Sequence, residues 1–175
     1  VPVHEIAGLP VPHEVTTAYT ISLDTPDAMA KAAQGAASRT LLKVKLGAEG
    51  DPARIAAVRA AAPRSTLIVD ANEGWNEDNL AANFAACVEA GVTLIEQPLP
   101  QGKDQALGRM KRPIPVCADE SVHDRASFPA LLGKYDALNI KLDKAGGLTE
   151  AITMVAEAQR RNFTTMVGCM VATSL

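Results

Sequence analysis

Aromatic residues are scarce: Phe, Trp and Tyr make up 3% of the 175 residues. Such a chain has little with which to stack nucleic-acid bases. An excess of basic charge is also missing. Lys and Arg number 17 against 20 Asp and Glu, a formal net charge of −3, so there is no electrostatic footprint for a phosphate backbone. No apolar run approaches the length of a membrane-spanning helix, and the first residues carry no signal-peptide pattern. Cysteine is limited to Cys87, Cys117 and Cys169, an odd number, far apart and without C-x-x-C. They read as reduced core or site residues of a cytoplasmic protein. Also absent is G-x-G-x-x-G after the first strand-like run, which argues against a dinucleotide-binding sheet.

What is present is a hydrophobic fraction of 47% in a chain long enough for one domain with a real core. Valine- and isoleucine-rich runs alternate with Ala-rich helical stretches. The strand-like runs are 19–23, 40–47, 66–72, 92–98, 114–121, 136–144 and 164–170. Thr25-Pro26-Asp27 supplies an N-cap and a first-turn proline for a helix running to about Arg39, and Asp51-Pro52 opens the next one in the same manner. Seven strands and six intervening helices imply βαβ units and a parallel sheet. The candidates are a doubly wound sheet and a (β/α)8 barrel.

Charge placement separates them. Lys45, Asp70, Glu96, Asp119 and Lys141 stand at or near the C-terminal ends of successive runs, at intervals of 25, 26, 23 and 22 residues. One charge per βα unit, always at the same strand end, converges on the C-terminal mouth of a barrel. In an open sheet the same residues would be strung along an edge. The predicted fold is therefore α/β, a TIM-type (β/α)8 barrel, incomplete at strands one to seven.

Lys43 and Lys45 lie two apart in "TLLKVKLG" and so share one strand face. By itself that is an edge strand's wet face; beside the recurring charges it becomes a pair aimed into the mouth. Asp70, Glu96 and Asp119 come from three successive strands, and three adjacent carboxylates do not all ionise without a cation. An all-oxygen set suits Mg²⁺. In a closed barrel Lys45 and Lys141 face each other across that ion, and a cation nearby is expected to lower an ammonium pKa toward the range of a base.

Taken in order, K-x-K (Lys43, Lys45), "VDAN", "IEQPLP", "CADES" and "NIKLDKAGGLTEA" resemble the barrel of the enolase superfamily, muconate-lactonizing subgroup. "LLKVKLG", "LIVDANEGW", "LNIKLDKAGGLTEA" and "GCMVATSL" are most similar to bacterial dipeptide epimerases of the L-Ala-D/L-Glu type, and the likeness runs from about Pro10 to Leu175. The resemblance implies a Mg²⁺-dependent isomerase of murein peptide metabolism that removes the proton next to a carboxylate and returns it through an enediolate. It implies Asp70, Glu96 and Asp119 as metal ligands, Lys45 and Lys141 as the acid/base pair, and Lys43 as the group binding the substrate carboxylate. Thr20, Cys169 and Met170, with Val171, would contact substrate, and Asn72 and Glu120 would orient the ligands. The implied partner is a small dipeptide, with no nucleic acid and no membrane; a homo-oligomer stays open.

Muconate cycloisomerase or o-succinylbenzoate synthase chemistry uses the same metal and lysines, and a Schiff-base aldolase on Lys141 is a further alternative. Ala172 stands where many relatives carry Glu. An N-terminal capping domain and an eighth strand are expected of the family, so residues 1–15 read as a tail from a missing domain and 16–175 as a barrel domain lacking strand eight. As it stands, such a chain is also readable as an inactive fragment. His4, His13 and His123 lack metal-ligand spacing and read as surface residues. Trp75 divides between a pocket edge and packing at a loop, Asp143 and Lys144 between a polar supporting network and helix entry, and Gly146-Gly147 reads as a strand-to-helix turn rather than a phosphate loop.

Overall fold

The computed structural model describes residues 1–170. Seven strands form one parallel sheet in the order β1 to β7: Tyr19–Ile21, Leu41–Lys45, Thr66–Asp70, Val92–Glu96, Val116–Ala118, Ala137–Lys141 and Thr164–Gly168. The sheet curls into part of a TIM-type barrel, the α/β architecture expected. Helix α1 (Val3–Ile6) precedes β1 and buries nothing. Helices α2 (Pro26–Gly35), α3 (Asp51–Ala61), α4 (Glu77–Glu89), α5 (Ala106–Arg109) and α6 (Phe128–Leu131) follow β1 to β5 in turn. After β6 come α7 (Leu142–Ala145) and α8 (Leu148–Arg160). Among the described residues no helix is long and apolar enough to cross a membrane.

Two faces follow from strand alternation. Leu42, Val44, Leu67, Val69, Ile95, Leu138 and Ile140 are all nearly inaccessible and join the apolar cluster beneath the helices. Burying each is worth about 1.5–3 kcal/mol. The opposite face carries the charges. Cross-strand partners in a parallel ladder point the same way, and the register pairs Thr20 with Lys43, Lys45 with Asp70, Asp70 with Glu96, and Glu96 with Cys117.

That alignment depends on an irregularity. Leu67 pairs with Val92, but Ile68 pairs with Leu94, so β4 carries one residue more than β3 at this point. Without the extra residue Asp70 would face Ile95, and Glu96 would turn to the other side. Thr93 is the residue skipped, and its hydroxyl donates to the Leu67 carbonyl at 3.1 Å.

Some boundaries differ from expectation. Helix α2 keeps its Thr25 cap, which accepts from the Ala28 N–H, but stops at Gly35 rather than Arg39. Strand β6 ends at Lys141 and the chain turns at once into α7, so 142–144 are helical rather than extended. Helix α3 is capped by Gly50 at φ 86°, not by Asp51.

Asp51 has another task. Its Oδ2 accepts from the Gly47 N–H (2.7 Å), the Ala48 N–H (3.2 Å) and the Trp75 indole N–H (2.8 Å), and its Oδ1 meets Arg54 at 3.1 Å. Trp75 is therefore buried support and not a pocket edge. The loops after β2 and β3 press together here, and a Cβ on Gly74 would lie 2.3 Å from the Gly47 carbonyl oxygen. Asp51→Ala strands three donors and an arginine. It is expected to cost roughly 3 kcal/mol in urea unfolding, with Asp51→Asn recovering part of the loss.

Candidate active site

Asp70 ends β3, Glu96 ends β4, and Asp119 follows β5 by one residue. All three are at most 2% exposed, and one oxygen from each falls in a set whose members lie within 4.8 Å of one another. The expected carboxylate trio is thus assembled, deep in the mouth. Burial and the neighbouring Asp70 charge push the Glu96 carboxyl up to about 7, against the pull of Lys43 and Asn139. Burial also works against Asp119, but hydrogen bonds and charge from Lys141 and Lys144 hold it below the usual carboxylate range.

The lysines bracket the trio. Lys43 Nζ lies 2.9 Å from Asp70 Oδ2 and 2.6 Å from Glu96 Oε2. Lys45 Nζ reaches Asp70 Oδ2 and Asn72 Oδ1, both at 2.7 Å. Lys141 Nζ donates to Asp119 Oδ2 at 2.6 Å, and Lys144 approaches Asp119 Oδ1 and the Asp119 carbonyl from α7. Burial alone would lower the pKa of Lys43 and Lys141. The facing carboxylates outweigh it and raise both: Glu96 and Asp70 for Lys43, chiefly Asp119 for Lys141. Among the protein groups, Asp119 thus favours the charged form of Lys141.

Oxygen-only donors in a buried triangle fit a hard divalent cation better than a softer transition metal. Glu96 adds a specific sign. Its Oε2 is buried and meets the Lys43 ammonium at 2.6 Å. A carboxylate oxygen has a second lone pair, which is left for a ligand.

Asn72 and Glu120 sit next to the trio, Asn72 on Asp70 and Lys45 and Glu120 on Asn72. Asn72, at φ 42°, donates from its N–H to Asp70 Oδ1 (3.0 Å) and from Nδ2 to Glu120 Oε1 (3.2 Å) while accepting from Lys45. Burial pushes the Glu120 carboxyl up. Thr20 is exposed on the inner face beside Lys43. A cavity of about 230 Å³ is lined by Thr20, Ser22, Asp24 and Met29, with none of the three carboxylates in its wall. Strand β7 stops at Gly168, so Cys169 and Met170 follow the strand rather than form part of it, and both are exposed. Val171 and Ala172 lie outside the described residues.

Sequence reasoning passed over Asn139. It is fully buried two residues before Lys141, on the same face, and its Nδ2 donates to Glu96 Oε1 at 2.8 Å. A Cβ on Gly168 would collide with that amide at 2.5 Å, so the glycine makes room for it. The signal was a single polar residue inside an otherwise apolar strand, "ALNIK".

The sequence model of the family described as Enolase C-terminal domain-like matches residues 27–175. An L-Ala-D/L-Glu epimerase from Escherichia coli K12 is 46% identical over 172 residues, covering 97% of this chain and 54% of that protein. An N-acetyl-D-glutamate racemase from a Pseudoalteromonas species is 49% identical over 158 residues, covering 90% and 50%. Among solved structures, an enolase family member from Agrobacterium tumefaciens with homology to dipeptide epimerases, holding sodium and L-Ala-L-Glu, superposes with a TM-score of 0.93. It is 53% identical and covers 98% of this chain and 52% of that one. A dipeptide epimerase from Cytophaga hutchinsonii, complexed with Mg and D-Ala-L-Val, gives a TM-score of 0.90 at 28% identity, covering 97% and 49%. The chain spans about half the length of the curated relatives it matches.

Proposed function

Since the chain belongs to the Enolase C-terminal domain-like family, we propose that it forms the barrel of a Mg²⁺-dependent dipeptide epimerase of the L-Ala-D/L-Glu type. Residues 16–175 are its barrel domain and 1–15 the approach from a capping domain. The observation that carries this reading is the flanking of one buried carboxylate trio by Lys43 and Lys45 on β2 and Lys141 on β6. The relatives named epimerases, and the Mg and dipeptides held by similar structures, support it.

Asp70, Glu96 and Asp119 would hold the ion, which supplies fixed positive charge for the carboxylate of the substrate. Lys43, already beside two of the ligands, binds that same carboxylate and offsets the charge that develops when the α-proton leaves. Either Lys45 or Lys141, in its amine form, takes the proton. The planar enediolate is then reprotonated at the same carbon by the ammonium of the other. One proton leaves, one returns, and only the configuration changes. Asn72 fixes Lys45 through its carbonyl oxygen.

A second reading has its own support in the 49% identical racemase. N-acetylglutamate and Ala-Glu both present a glutamate whose nitrogen is acylated, and they differ in the alanyl ammonium. In D₂O, proton NMR on the full-length protein is expected to show loss of the glutamyl α-proton of L-Ala-L-Glu, stopped by EDTA and restored by Mg²⁺. Exchange that survives chelation removes the metal reading; exchange on N-acetylglutamate but not on the dipeptide moves the assignment to the racemase.

A further inference from the structure

Gln97 follows Glu96 at the end of β4 and is fully buried. Its backbone stands at φ 34°, a conformation that costs free energy for a residue with a Cβ and persists only where the surroundings enforce it. The side chain is engaged at both ends. Oε1 accepts from the backbone N–H groups of Asp119 (2.9 Å) and Ser121 (3.1 Å). Nε2, which has two N–H groups, lies within hydrogen-bonding distance of the Leu99 carbonyl (2.8 Å), the Ser121 hydroxyl (2.9 Å) and the Tyr135 hydroxyl (2.9 Å). Backbone N–H groups only donate, so the amide has one orientation.

The main chain of Gln97 adds two links. Its N–H donates to the Cys117 carbonyl (2.9 Å) and its carbonyl accepts from the Glu73 N–H (2.8 Å). One residue thus touches the loop after Asp70, adjoins Glu96, and holds the backbone of Asp119. Behind it the Tyr135 hydroxyl donates to Asp104 Oδ2 (2.8 Å), and Lys134 meets Asp104 Oδ1 (2.6 Å). Asp104 is 1% exposed and has no place in the chemistry proposed above.

We propose that Gln97 is the positioning residue of the carboxylate site, braced by Tyr135, Asp104 and Lys134. It sets Asp119 directly, and Glu96 through the bend that follows it, at the separation a divalent cation requires. This rests on the cation reading of Asp70, Glu96 and Asp119. Were Gln97 only a core plug, its loss would lower stability and leave the ion's affinity alone.

The test is Mg²⁺ titration calorimetry on the full-length protein, with thermal melting alongside. Gln97→Met keeps the length and removes every side-chain hydrogen bond; the Mg²⁺ Kd is expected to rise about 10- to 100-fold. Tyr135→Phe lies outside the site and removes one brace, and a rise of roughly tenfold is expected. Should Gln97→Met fail to fold, Tyr135→Phe decides. A lowered melting temperature with unchanged Kd in the folded variants overturns the proposal. Absence of Mg²⁺ binding by the unsubstituted protein overturns the cation reading, and the proposal with it.

Discussion

Lys141→Met is expected to abolish epimerisation, lowering kcat by about 10³-fold or more, the scale of a lost acid/base group. Methionine keeps most of the stem and removes only the ammonium that meets Asp119. Lys144 remains on that carboxylate, so the fold should melt within a few degrees of the unsubstituted protein. The diagnostic result is one-sided. Inversion needs a proton carrier on each face of the planar intermediate, but exchange needs only one. In Lys141→Met, the epimer whose α-hydrogen faces Lys45 should still exchange with D₂O without inverting, while the other epimer is inert. Lys45→Met should show the mirror image. Proton NMR of both epimers, read with polarimetry, checks this; exchange of both epimers in either variant removes the two-base mechanism.

Glu96→Gln is expected to move ion affinity and stability in opposite directions. The substitution removes one of three anionic ligands, and the Mg²⁺ Kd should rise at least 100-fold or so. Stability in EDTA should improve. Burial, with Asp70 close by, raises the Glu96 carboxyl from an ordinary 4.5 to about 7. A raised folded-state pKa contributes stability that is complete below about 4.5 and lost as pH climbs through about 7. At pH 8 the chelated protein therefore bears the cost of a buried charge, which the amide avoids. A gain of about 1–3 kcal/mol is expected, together with a flatter pH profile between 5 and 8. Asn139 keeps an acceptor in the glutamine carbonyl, which replaces Glu96 Oε1. Urea unfolding across pH, with calorimetry at pH 8, checks both halves; an unstable variant would show that Glu96 is stabilised as an anion by Lys43.

The repeating strand and helix, the barrel ends of the strands and the carboxylate trio were all readable before any coordinates, because each leaves a periodic trace. Lys45, Asp70, Glu96, Asp119 and Lys141 recur once per unit, and a recurring charge in an apolar run is conspicuous. Buried amides leave no such trace. Gln97 and Asn139 matter through the partners that the fold brings to them, and those lie up to 43 residues away for Asn139 and Glu96. Lys144 was visible, but its grip on Asp119 depends on α7 starting directly after Lys141, where an extended continuation was expected. Asp51 misled for a related reason. Its type and place before a proline suit a cap, yet the neighbouring indole and two loop N–H groups claim its carboxylate.

The skipped residue in β4 also bears on how such barrels can be recombined. A βα unit is usually treated as an interchangeable module, cut and rejoined wherever two backbones superpose. Here the unit carrying Glu96 is odd by one, and Thr93 sets its parity. A chimera joined on the regular count would contain every ligand, lysine and supporting amide and yet aim Glu96 into the helical layer. The proposed cation site would be lost without any of its residues being changed. Grafts between relatives should therefore take β3 and β4 together, with the joint placed before Thr66.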